Sequence, residues 1–140
     1  MKSLATLIKL YRKRLDDKRI ELVREQETLD ELNKILAHIR EEMRQEKKVA
    51  EKSLEGRYTF PGYVGQAINS ERRIASLIKE QENKIEAIRD AIAEEFSELK
   101  KYEILLEVKQ RSAAKEEARL EQTQLDEIAT NSFLQERREE

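Results

Sequence analysis

Steps of four and three residues from Leu4 land on Leu4, Ile8, Tyr11, Leu15, Lys18, Leu22, Glu25, Leu29, Leu32, Leu36, Ile39, Met43, Glu46 and Ala50. All but Lys18, Glu25 and Glu46 are apolar. A 3.5-residue repeat held this long keeps one narrow stripe of a helix facing a partner helix, the pattern of a coiled-coil seam. It predicts a helix over 3–55, with the Ser3 hydroxyl capping free N–H groups of the first turn. From Glu55 to Val64 the chain then holds its only proline, Pro61, and two of its three glycines, Gly56 and Gly62. Those residues predict a turn at 56–62, with Gly56 as a left-handed C-terminal cap and Pro61 in the first turn of the next helix. The second helix is expected over 63–136. Its stripe runs Val64, Ala67, Ile74, Ile78, Ile85, Ile88, Ile92, Leu99, Tyr102, Leu106, Ala113 and Leu120, interrupted by Glu71, Gln81, Glu95, Lys109 and Glu116.

Two helices joined by a short turn pack antiparallel. Folding at 57–61 sets Leu29 against Ile88 or Arg89, and Leu15 against Tyr102 or Glu103. It brings the Leu4 end alongside Ala113 and Ala114, and residues 115–140 project beyond it as an overhang. Charge favours this orientation. The first helix opens with Lys2, Lys9, Arg12, Lys13, Arg14, Lys18, Arg19 and Arg24, whereas the end of the chain carries Glu116, Glu117, Glu121, Asp126, Glu127, Glu136, Glu139 and Glu140. Exposed pairs give only about 0–1 kcal/mol each, so they orient the helices more than they stabilise them. Lys18 and Glu25 inside the first seam are expected to set register at some cost in stability.

Composition agrees with an extended helical chain. Of 140 residues, 41% are charged and 38% hydrophobic, too polar a mixture for a thick globular core. Cysteine is absent, which removes disulfides and thiolate metal sites. No segment approaches the roughly 20 apolar residues that a bilayer span requires, and the N-terminus lacks the features of a secretory signal. The expectation is a single cytosolic domain of the all-α class, a long antiparallel two-helix coiled-coil hairpin.

The residues also argue against catalysis. His38 is the lone histidine and stands off the main stripe, and no Gly-Lys-Ser/Thr phosphate loop is present. Glu41-Glu42, Glu94-Glu95 and Glu116-Glu117 are neighbours along a helix and point about 100° apart, so they read as solvated faces. No enzyme activity, metal or cofactor is expected. Arg12-Lys13-Arg14 ahead of heptads invites a basic-zipper reading, but the seam already passes through it at Tyr11 and Leu15, Asp16 and Asp17 would repel phosphates, and the Gly/Pro break interrupts the zipper. Nucleic-acid binding is therefore not expected. The candidate protein-binding residues are Tyr11, Arg12, Lys13 and Arg14 near the start, the turn aromatics Tyr58, Phe60 and Tyr63, and Leu125, Ile128 and Phe133 of the overhang. A helix that keeps an apolar face without an internal partner suits a second protein.

Four segments carry a resemblance. The opening Met1-Lys2-Ser3-Leu4-Ala5-Thr6-Leu7-Ile8-Lys9-Leu10-Tyr11, the run Leu15-Asp16-Asp17-Lys18-Arg19, the segment Leu99-Lys100-Lys101-Tyr102-Glu103 and the late Leu125-Asp126-Glu127-Ile128-Ala129 resemble the flagellar export protein FliJ family over almost the whole chain. The resemblance implies an antiparallel two-helix coiled coil similar to the central stalk of rotary ATPases. It implies a non-catalytic component of flagellar type III export that binds and stimulates the hexameric export ATPase and contacts the membrane export gate and export chaperones. It further implies a cytoplasmic protein associated peripherally with the inner-membrane export apparatus, without direct membrane insertion. The paired termini would face the ATPase ring, and the Tyr58–Tyr63 tip the gate. The alternatives are the stalk protein of a virulence type III secretion system and a self-associating structural coiled-coil scaffold.

Overall fold

A computed structural model describes residues 3–139. Two long helices, α1 (Leu4–Lys52) and α2 (Leu54–Glu139), pack against each other, and no strand occurs among the described residues. The fold class is all-α. Ser3 caps α1 as its position predicts: the Thr6 N–H donates to Ser3 Oγ at 3.2 Å and the Leu7 N–H to the Ser3 carbonyl at 3.1 Å.

The reversal differs from the expected turn at 56–62. Ser53 alone separates the helices, so α1 ends at Lys52 instead of 55, and α2 begins at Leu54 instead of 63 and runs to Glu139, past the expected 136. Ser53 caps α2, its Oγ accepting the Gly56 N–H at 2.9 Å and its carbonyl the Arg57 N–H at 3.4 Å. Gly56 is not a left-handed cap, since no described glycine has a positive φ. Its role is close approach: a Cβ there would lie 2.8 Å from the Ala50 Cα and 2.8 Å from Ser53 Oγ. Gly62 and Gly65 lie inside α2 with open space around the position of a Cβ, and Pro61 is likewise interior, beyond the first turn. The serine cap and the glycine contact let the chain turn early. The residues chosen as a turn then form the opening of α2, where Phe60 and Tyr63 line a groove with Glu46, Val49 and Ala50 of α1. A loop over 56–62 would give up that packing. Helix interiors disfavour proline by about 3 kcal/mol and glycine by about 1 kcal/mol, so this opening segment is the weakest helix in the chain.

Contacts divide the chain into two compact units, residues 13–96 and residues 1–12 with 97–140. In the 13–96 unit the seam is the predicted one. Leu15, Leu36 and Ala50 of α1 and Ala67, Ile78, Ile85 and Ile88 of α2 are buried, Leu15 to 1% exposure, while Leu22, Leu29, Leu32, Ile74 and Ile92 are half-buried. Glu46 is the stripe position of α1 that turns to solvent. Glu25 ties the helices together. Gln81 Nε2 donates to Glu25 Oε2 at 2.5 Å and to the Glu25 carbonyl at 2.9 Å, and Lys84 Nζ lies 3.0 Å from Glu25 Oε1. Arg40 Nε donates to Glu71 Oε1 at 2.9 Å. These partners sit about two to three helical turns nearer the reversal than folding at 57–61 would place them, because the chain turns at Ser53. Lys18, the other polar intrusion, pairs with Glu21 of its own helix at 3.9 Å. Glu95 leaves Oε2 buried without a hydrogen-bond partner, a stranded acceptor in the seam.

In the other unit, Ile8 and Leu99 are buried, and Tyr11 packs on Tyr102 with ring centroids 5.3 Å apart at 40°. Tyr102 was expected opposite Leu15, so here too the register moves towards the N-terminus. A groove lined by Ala5, Ile8, Lys9 and Arg12 of α1 and Glu103, Leu106, Glu107 and Gln110 of α2 puts the start of α1 beside Gln110, not Ala113 and Ala114. From Glu107 to Glu139 every residue of α2 is exposed. Where the basic start was expected to meet the acidic end, Arg12 pairs with Glu103 at 3.4 Å, while Glu116 pairs with Arg119 along its own helix at 2.7 Å.

The reversal predicts opposite signs for equivalent substitutions. Gly56→Ala should lower the thermal midpoint because the Ala50 backbone cannot move aside cheaply. Gly62→Ala and Gly65→Ala should each stabilise the chain by about 0.5–1 kcal/mol, measured by urea unfolding. Glu95→Leu, which removes the stranded acceptor, should also stabilise, by about 1 kcal/mol.

The Gln81 hydrogen bond, helped by Lys84, holds the Glu25 carboxyl below its ordinary value, against the smaller opposing effect of burial. The folded chain thus binds this proton less readily than the unfolded one. The stability Glu25 confers is complete above the unfolded glutamate value of about 4.3 and is lost as pH falls through the lower folded value. Thermal midpoints of the native chain should drop more steeply than those of Glu25→Gln as pH falls below about 4.3.

Candidate protein-binding surfaces

The expected contact residues fall on three stretches of the chain, divided between the two units. Near the start of α1, Tyr11 is half-buried against Tyr102 and Arg12 is tied to Glu103, so both serve the seam first. Glu103 is held below the ordinary carboxylate range, chiefly by its hydrogen bond from Lys100 and then by Arg12. Lys13 and Arg14, in the 13–96 unit, are exposed on α1.

At the opening of α2 the three aromatics separate by role. Phe60 and Tyr63 stack at 6.5 Å and 25° and are half-buried against α1, closing the end of the seam. Desolvation, followed by the nearby Glu42 and Glu46 carboxylates, raises the Tyr63 hydroxyl above its ordinary value, so it stays a neutral phenol. Tyr58 is 82% exposed and offers its ring outward. A further groove joins Phe60, Pro61 and Arg57 of α2 to Lys47, Ala50 and Glu51 of α1 and has a volume of about 250 Å³.

Leu125, Ile128 and Phe133 stand on the exposed part of α2, each about 60% exposed. Arg137 lies 6.0 Å from the Phe133 ring centroid, a cation–π arrangement one turn along. Phe133 is thereby presented on an ordered helix beside a positive charge.

A groove of about 710 Å³ lies within the 13–96 unit between Gln26, Leu29 and Asp30 of α1 and Glu82, Ile85, Glu86, Arg89 and Asp90 of α2. It is an open trough whose lining pairs no nucleophile with a base. His38 Nε2 lies 3.0 Å from Glu42 Oε1 one turn away, with both side chains exposed, a solvated helix pair. No group of three or more metal-ligating side chains occurs among the described residues. No described helix is long and apolar enough to cross a membrane.

One surface escaped the sequence reading. Ile104, Leu105 and Val108 of α2 are exposed beside the buried Leu99. They lie off the seam positions Leu99, Tyr102 and Leu106, and the signal available was their own spacing of three and four residues.

Comparison with known proteins adds the family. No curated protein and no solved structure matches the chain. The family model described as flagellar FliJ protein matches residues 1–138. With the two packed helices and exposed C-terminal apolar residues already in place, this near-complete match shows that the chain belongs to the flagellar FliJ protein family, a family of flagellar type III export components.

Proposed function

We propose that the chain is a non-catalytic stalk that binds and stimulates the hexameric flagellar export ATPase and links it to the membrane export gate and to export chaperones. The observation that carries this reading is the exposed end of α2: an ordered helix from Glu107 to Glu139 with Leu120, Leu125, Ile128, Phe133 and Leu134 open to solvent. Water disfavours such a set of side chains, and burying each in a partner contributes about 1.5–3 kcal/mol. Acidic residues around them, among them Glu121, Asp126 and Glu127, would steer the helix to a basic lining in the ring. Lys13 and Arg14 supply the opposite charge and suit acidic ATPase loops. Tyr58, the freest aromatic, is assigned to the gate. The protein would act in the cytoplasm at the inner-membrane export apparatus, through its partners and without inserting into the bilayer.

Stimulation needs no chemistry from this chain. A bound stalk that stabilises assembled ring subunits raises turnover by shifting the ATPase population towards the active oligomer. Adding the full-length protein to the cognate ATPase should therefore raise ATP hydrolysis, and ending the chain after Ala114 should weaken that effect. Leu125→Ala with Phe133→Ala, both exposed and indifferent to the fold, should weaken the apparent affinity by tenfold or more, at about 1–2 kcal/mol per lost anchor. Circular dichroism should show the helix content retained. An ATPase rate unchanged by the full-length protein would sink the reading.

A further inference from the structure

On the face of α2 turned away from the seam, steps of three and four residues connect Ile104, Val108, Arg111, Lys115 and Ala118, then Gln122, Asp126, Ala129 and Phe133. All are exposed, Ile104 by 59% and Phe133 by 60%. The first half of this stripe reads apolar, apolar, basic, basic. The second half reads polar, acidic, apolar, apolar. Reversed, the second half is the complement of the first.

We infer that this outer face of α2 pairs with the same face of a second copy of the chain, antiparallel, about a two-fold axis beside Ala118. In that register Ile104 meets Phe133, Val108 meets Ala129, Arg111 meets Asp126 and Lys115 meets Gln122, each twice by symmetry. An isologous contact requires a surface complementary to itself under a two-fold rotation, and the order of residues supplies it. The small side chain of Ala118 at the axis lets the helices approach. A parallel pairing would instead set Arg111 and Lys115 against their own copies, and Asp126 against Asp126.

The one like-charge meeting in the antiparallel arrangement is Arg119 near the axis, and Glu116 already neutralises it at 2.7 Å. Arg111 is held by Glu107 in the free chain, one turn back on the same helix. The Asp126 carboxylate accepts from Gln122 Nε2 at 3.0 Å, so pairing exchanges one exposed ion pair and one weak hydrogen bond for a charge-assisted contact between chains. The seam with α1 occupies the opposite side of α2 at Leu99, Tyr102 and Leu106, so pairing leaves the fold of each chain undisturbed.

This contact shares Asp126 and Phe133 with the surface proposed for the ATPase, so it is tested on the purified chain alone, with no ATPase present. Light scattering on the full-length protein should show a monomer converting to a dimer with a dissociation constant of roughly micromolar order. Arg111→Asp and Asp126→Arg should each weaken the dimer by about tenfold, since each places like charges together twice. The double variant should restore it. Because the chain has no cysteine, Val108→Cys mixed with Ala129→Cys should form a disulfide between the two variants, while Val108→Cys alone should not. A chain that remains monomeric at every concentration, a double variant no tighter than the singles, or a Val108→Cys homodisulfide would each overturn the inference.

Discussion

The tight reversal at Ser53 governs which residues meet along the seam. With one non-helical residue between α1 and α2, the serine hydroxyl must satisfy an orphan N–H of the new helix, and the new helix must start almost in contact with the old one. Gly56 against the backbone of Ala50 is where that proximity is felt. A side chain at this point would push the helices apart and move the reversal, and every pairing downstream would shift with it. Glu25 with Gln81 and Lys84 then acts as a second register mark, because a polar group in an apolar seam is satisfied in one alignment and stranded in others.

The opening of α2 is a compromise between local preference and packing. Pro61, Gly62 and Gly65 disfavour helix, yet the segment is helical because Phe60 and Tyr63 gain a face of α1 to pack on. Regions with such opposed tendencies sit at the low end of local stability in a protein. Tyr58 rides on this segment with its ring in solvent, so it can adapt to a partner at little cost to the rest of the seam.

Division of labour along α2 is the functional consequence. Up to Leu106 its seam face is taken up by α1, and the residues that look like binding groups there, Tyr11 and Arg12 included, are largely engaged within the chain. Beyond Leu106 the same helix continues fully exposed and keeps apolar residues on more than one side. A helix without tertiary packing gains little from burial within its own chain, so its apolar groups are available to other proteins. In the function proposed for this member of the flagellar FliJ protein family, that is the part of the chain that engages the export assembly.

The sequence by itself determined the two helices, the seam stripes and the free C-terminal helix. Heptad spacing alone names the residues that face a partner, and the stripe from Leu4 to Ala50 is matched residue by residue except at Glu46, which is exposed. The exposed character of Leu125, Ile128 and Phe133 was legible as well, because an apolar stripe outlasting its partner helix has nothing to cover it. Only the tertiary structure decided where the chain turns and hence which residues pair. Gly56, Pro61 and Gly62 signal a break by local conformational preference, but the choice between a loop and a proline-containing helix rests on the contacts of Phe60, Tyr63 and Ala50, which lie between helices and leave no periodic trace. The same reason hid the roles of Tyr11 and Arg12: whether an aromatic or a guanidinium is spent on the seam depends on what stands opposite, and the register supplies that.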